Sequence, residues 1–145
     1  MKKLHSFGIL AVIIGLISCE KHDDKSEKLC ERYSECNAME YDECLSSIGS
    51  LSLSSDCYDS MMDTTCEDHL SAPPSYFGTC FPYCSVESRE CRNDKIYLCN
   101  GTYEMVYNCE KVCEYAYDGA EYTGTCGTVA PNGEISAEEV CWCQY

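Results

Sequence analysis

Large aliphatic side chains are scarce in this 145-residue chain. From Cys19 to Tyr145, Leu, Ile, Val and Phe number 16 of 127 residues. That is far below the roughly 20% at which a strongly charged chain usually stays unfolded. Burial alone cannot offset the ordering entropy of such a chain. Positive charge is scarce too. Ten Lys and Arg stand against 25 Asp and Glu, a net charge of −15. That balance argues against nucleic acid as a partner and against adsorption to anionic lipid head groups. No two cysteines stand at the CxxC spacing of zinc or thioredoxin-like redox sites. There is no GxSxG, no HExxH and no phosphate loop. The chain has three histidines, and beyond residue 22 only His69 remains for a Ser/His or Cys/His mechanism. Cys66-Glu67-Asp68-His69 is a lone Cys/His pair, read as a helical disulfide Cys with a neighbouring surface His. Neither catalytic residues nor a metal site nor a cofactor is expected. Asp56, Asp59, Asp63 and Glu67 read as a solvated helix face, without the spacing or glycine of a calcium loop.

What the chain has is cysteine, 15 in all. The first is distinctive for what precedes it. Lys2 and Lys3 give a positive start, residues 8–17 are an uncharged apolar run, and Leu16-Ile17-Ser18-Cys19 follows. The run is too short for a permanent bilayer span and reads as a secretion signal. Leu16 to Cys19 resembles the lipobox of bacterial lipoproteins. The resemblance implies that residues 1–18 are cut away and that Cys19 becomes an acylated, palmitate-bearing first residue. The protein is then anchored to a membrane in the bacterial cell envelope. Glu20, rather than the Asp that usually signals inner-membrane retention, implies the outer membrane or cell surface. With Cys19 given to lipid, 14 cysteines remain: Cys30, Cys36, Cys44, Cys57, Cys66, Cys80, Cys84, Cys91, Cys99, Cys109, Cys113, Cys126, Cys141 and Cys143. An even set in an exported chain implies a disulfide framework. Seven bridges at about 2–4 kcal/mol each compensate for the thin core.

The expected organisation is a signal (1–18), a polar lipidated tether (19–28), a disulfide-stapled helical unit (29–80) and a disulfide-rich αβ unit (81–145). Asp24 with Glu27, and Asn37 with Glu40, have capping-box spacing. Leu29, Tyr33 and Cys36 share one helical face, as do Tyr41, Cys44, Leu45 and Ile48, with Gly49 as a stop. Ser-rich residues 50–55 read as a loop. Tyr58, Met62, Cys66 and His69 recur at helical spacing up to Pro73. Residues 71–75 form a Pro-Pro linker, with five of the 14 cysteines before it and nine after. At least one bridge must therefore cross it, and Cys80 is the candidate. Further on, Ile96 to Cys99, Asn100-Gly101 and Thr102 to Tyr107 predict a hairpin with a type I′ turn. Residues 109–117 predict a short helix, and 122–129 with 140–145 two strands around a Pro131-Asn132-Gly133 turn. The fold class is small disulfide-rich α+β, short helices followed by hairpin, helix and hairpin.

Cys109 and Cys113 place two sulfurs on one helical face, about 5–6 Å apart at Cβ. Cys141 and Cys143 place two on one strand face, about 6.6 Å apart. Side-by-side bridges between them are therefore unstrained. With Gly124-Thr125-Cys126 opening the last hairpin, this pattern resembles the cysteine-stabilised αβ motif of defensins and scorpion-toxin-like miniproteins. The resemblance covers about 45 residues and implies Cys109–Cys141, Cys113–Cys143 and Cys126 with Cys99 or Cys91. The long Cys126–Cys141 loop, two extra cysteines and an acidic surface depart from that family. Without the basic surface, its membrane-attacking activity is not expected.

Eight of the 12 tyrosines and Trp142 lie in residues 83–145. Tyr and Trp are favoured at binding surfaces for their contact area and polar edge. Tyr97, Tyr103, Tyr107 and Trp142 are the candidate surface. The expected function is a non-enzymatic, lipid-anchored module binding a protein or glycan, the alternative an inhibitor or toxin-like effector using residues 127–140 as a rigid loop.

Overall fold

The helix that opens the described part of the chain is amphipathic in the manner its spacing predicts. In this computed structural model, which describes residues 24–117 and 119–145, α1 runs Asp24–Glu35 and buries Leu29, Cys30 and Tyr33 along one face. The signal, Cys19 and residues 20–23 of the tether lie outside the described residues. Residues 24–28 belong to α1 rather than to a tether. Ser26 is buried, and its hydroxyl donates to the Gly49 carbonyl at 2.9 Å. No helix among the described residues is long and apolar enough to cross a membrane.

Asn37 ends α1 instead of capping the next helix. It takes φ +54°, with Asn37 N–H donating to Ser34 O and Ala38 N–H to Tyr33 O. That is a Schellman stop, with Asn in the left-handed position it tolerates. α2, Tyr41–Cys44, follows Glu40 and widens into a π-helical turn, Leu45–Gly49. The expected third helix is two. α3, Ser55–Asp63, is capped by the Ser54 hydroxyl, which accepts from Cys57 N–H. α4, Cys66–His69, is capped by Thr65, which accepts from Asp68 N–H. Extended backbone at Thr64 and Thr65 breaks the periodic run. A short α5, Phe77–Cys80, follows the linker. The core of this half gathers Leu29, Cys30, Tyr33, Cys44, Cys57, Met61 and Tyr76, around the bridges Cys30–Cys44, Cys36–Cys66 and Cys57–Cys80. Cys57–Cys80 is the bridge that crosses the Pro-Pro segment.

The second half begins with a three-stranded antiparallel sheet, β1 (Ser88–Arg92), β2 (Lys95–Cys99) and β3 (Glu104–Asn108). The I′-type turn sits between β1 and β2, at Asn93 (φ +49°) and Asp94 (φ +59°). At the expected site only Gly101 has positive φ (+84°). Asn100 instead uses its side-chain oxygen to accept from Thr102 N–H and Tyr103 N–H. The result is an Asx-stabilised four-residue loop rather than a two-residue turn. α6, Cys109–Ala116, is capped by Asn108 and leads to the hairpin of β4 (Glu121–Val129) and β5 (Ile135–Gln144).

Four bridges hold this half: Cys84–Cys99, Cys91–Cys126, Cys109–Cys141 and Cys113–Cys143. Cys126 thus pairs with Cys91, not Cys99. Cys109 and Cys113 are wholly buried, and with Cys141 they centre a second core that Ile96, Val112 and Tyr122 flank. The 14 described cysteines divide six and eight between the halves. The molecule is a small disulfide-rich α+β protein.

No disulfide joins residues 29–80 to residues 81–145; the main chain does. The outer edge of β3 is bonded by two separate segments. Ser52 N–H donates to Val106 O and Asn108 N–H to Ser50 O, which pairs Leu51 with Tyr107. Glu104 N–H donates to Pro82 O and Cys84 N–H to Thr102 O, which pairs Tyr83 with Tyr103. Residues 50–52 are therefore sheet-edge backbone and not the open loop their serines suggest. Lys111 adds a tie by donating to the Ser26 hydroxyl at 3.1 Å.

Candidate functional site

The sheet register decides what the tyrosines can do together. Tyr97 pairs with Val106, whereas Ile96 pairs with Tyr107 and Leu98 with Met105. Directly paired residues share a face and neighbours along a strand alternate. Tyr97 therefore lies on the face opposite Tyr107, and the two do not build one patch. Tyr97 is half-buried under the Arg92 guanidinium, 4.0 Å from its ring centre. Tyr107 is half-buried in the Leu51 bridge, and that burial raises its phenol pKa. Trp142 is held by its indole N–H, which donates to Gly127 O at 3.0 Å.

Tyr103 is the candidate that gathers an aromatic cluster. Its ring meets Phe77 edge-on at 5.3 Å and Tyr83 at 4.9 Å with a 33° tilt. Phe77 in turn meets Phe81 at 4.9 Å. The row climbs from buried Phe81 to Tyr83, which is 74% exposed, with Val86 exposed nearby in sequence. The Cys84–Cys99 bridge fixes the neighbouring backbone. The two hydroxyls are 3.5 Å apart, and the Tyr83 hydroxyl is the main reason the Tyr103 phenol titrates above its ordinary value. Glu87 packs beside the loop at Gly101, while Glu104, next to Tyr103 at the start of β3, falls on the opposite face by strand alternation. Tyr83 has no alternating pattern around it in sequence, only Pro82 before it and Cys84 after. Its sole advance signal was its place among the eight late tyrosines.

His69 sits in the first core, not at a surface. Its ring lies 4.6 Å from Tyr33 and 5.7 Å from Tyr76. Burial, then the Arg32 charge, lowers its pKa. The Tyr33 and Tyr76 hydroxyls share a short hydrogen bond beside it, and burial drives the Tyr33 phenol far up. Cys66 is bridged to Cys36 and offers no thiolate. Asp68 caps the linker turn by accepting from Ser75 N–H and the Ser75 and Ser71 hydroxyls, bonds that lower its pKa. Asp56, Asp59, Asp63 and Glu67 are exposed. The sulfurs of Cys109, Cys126 and Cys141 lie within 4.8 Å of one another. They do so because two disulfides sit side by side, and a bridged sulfur is a poor metal ligand.

The β4–β5 hairpin places another feature at the surface. Its arms continue through much of the segment expected as a loop, and the tip spans only residues 130–134. Val129 and Ile135 face each other there and are 52% and 76% exposed. No protein-family model, no curated protein and no solved structure matches this chain.

Proposed function

We propose that this protein is a non-enzymatic binding module of the bacterial cell envelope, held by lipid on Cys19, that engages a basic protein surface through Tyr83 and Tyr103. The carrying observation is the exposed Tyr83 ring stacked on half-buried Tyr103, backed by Phe77 and Phe81 and pinned by Cys84–Cys99. A rigid aromatic pair supplies contact area with little ordering cost. The net charge of −15 favours a cationic partner and suppresses an acidic one. The test uses immobilised Lys/Arg-rich peptides, with neutral cell-wall glycan as the comparison. Salt-sensitive retention on the peptides, lost in Tyr83→Ala and Tyr103→Ala but kept in Tyr97→Ala, is the expected result. Retention on glycan alone, or equal binding by all variants, refutes the reading. Anchoring is tested separately: Cys19→Ser should release the protein from membranes and remove the acyl mass.

The exposed Val129–Ile135 tip favours the inhibitor-like alternative. If that tip makes the contact, Ile135→Asp abolishes partner binding and Tyr83→Ala leaves it intact.

A further inference from the structure

Tyr83 and Tyr103 are placed for chemistry as well as for contact. The backbone bonds that flank them, Glu104 to Pro82 and Cys84 to Thr102, make theirs the non-hydrogen-bonded type of antiparallel pair. In that geometry opposed side chains approach most closely. The rings accordingly stack at 4.9 Å with 33° between planes, and the phenol oxygens are 3.5 Å apart. Phe77 blocks one side of Tyr103, while Tyr83 is largely in solvent. The 14 described cysteines are all bridged, so no described thiol competes for an oxidant.

We propose that Tyr83 and Tyr103 form a site of intramolecular oxidative coupling, in which a peroxide-driven one-electron oxidant joins the two phenols as a dityrosine. Each phenol gives up one electron and one proton. The two radicals then combine through ring carbons ortho to their oxygens, forming one carbon–carbon bond. The hydrogen on each coupled carbon moves to the neighbouring oxygen and restores both phenols. Peroxide accepts the two electrons and two protons and leaves as two waters. The product is the protein less two hydrogen atoms, with residues 82–84 tied to the 100–103 loop by a bond that thiols do not reverse. The coupling requires no partner on the aromatic face.

Tyr33 and Tyr76 provide an internal contrast. Their hydroxyls also touch, but both residues are about 95% buried, which denies access to an enzymatic oxidant. Tyr145, 95% exposed at the chain end, reports coupling between molecules.

The test treats dilute, membrane-extracted full-length protein with hydrogen peroxide and a haem peroxidase. The protein is then reduced, alkylated and digested with trypsin, which cuts after Arg89, Arg92 and Lys95 and so separates the two tyrosines. The expected product is a pair of joined peptides lighter by two hydrogens, with fragmentation placing the link at Tyr83 and Tyr103. Both Tyr83→Phe and Tyr103→Phe should lose it while keeping all seven disulfides in the intact mass. No link, links only between chains, or an intramolecular link that persists in Tyr83→Phe overturns the proposal.

Discussion

Removing both bridges that clamp α6 to β5 is expected to cost more than the sum of removing each alone. Cys109–Cys141 closes 32 residues, which the chain-entropy relation converts to about 3.7 kcal/mol at 25 °C. Once that bridge exists, Cys113–Cys143 closes only a small ring: four residues along α6 and two along β5. A ring of about six residues is worth about 2.2 kcal/mol by the same relation. The two bridges are interchangeable in this respect, since Cys113–Cys143 closes 30 residues when it is the first to form. Either Cys→Ala pair alone therefore costs about 2 kcal/mol, and both together about 6. The cavities left by the sulfurs add equally to single and double variants, so the coupling isolates the chain term. Urea unfolding of the wild type, the two single-bridge variants and the double variant, without reductant, measures it. Additive losses would refute the premise that the bridges act by restricting the same stretch of unfolded chain.

Leu29 is 1% exposed at the centre of the first core, and Leu29→Ala should cost about 2–5 kcal/mol in guanidinium unfolding. Ser26→Ala removes a buried donor to Gly49 O and the acceptor of Lys111, and should lower stability by about 1–3 kcal/mol in the same assay. His69, packed against Tyr33 and Tyr76 with Arg32 and Asp68 as its charged neighbours, has its pKa lowered by burial first and Arg32 next. The unfolded chain takes up this proton near about pH 6.5 before the fold does, so stability falls as pH drops below that value and is flat above it. Urea midpoints measured down to about pH 5 should show the slope, and His69→Leu should remove the part due to this residue.

Periodic patterns were legible where one local force acts. α1 follows from Leu29, Tyr33 and Cys36 on one face, and α6 from the residues between Asn108 and Gly119. The class and the six-and-eight division of cysteines were legible from counting and from the linker. Turn chemistry was less so. Asn100-Gly101 has the I′ composition, but Asn100 gains two bonds to its side-chain oxygen and Asn93-Asp94 takes the tight turn. Asn37 had two readings from one residue type, a cap or a stop, and the chain geometry after Glu35 selects the stop. The aromatic cluster was half legible. Tyr103 stood in a strand pattern, whereas Tyr83 reaches it by a backbone pairing 20 residues away that no local pattern encodes. The 50–52 segment was misleading for the same reason, since its partner Tyr107 is more than 50 residues distant.

The main-chain ladder along β3 also governs what happens when the polypeptide is cut. An unpaired strand edge is a template for association with other chains. A fragment beginning at residue 81 would keep its four bridges yet lose the cover supplied by residues 50–52, leaving Val106 O and Asn108 N–H bare. Dissection at that point is therefore expected to yield a correctly oxidised but self-associating product, and the helical half acts as a built-in guard on aggregation.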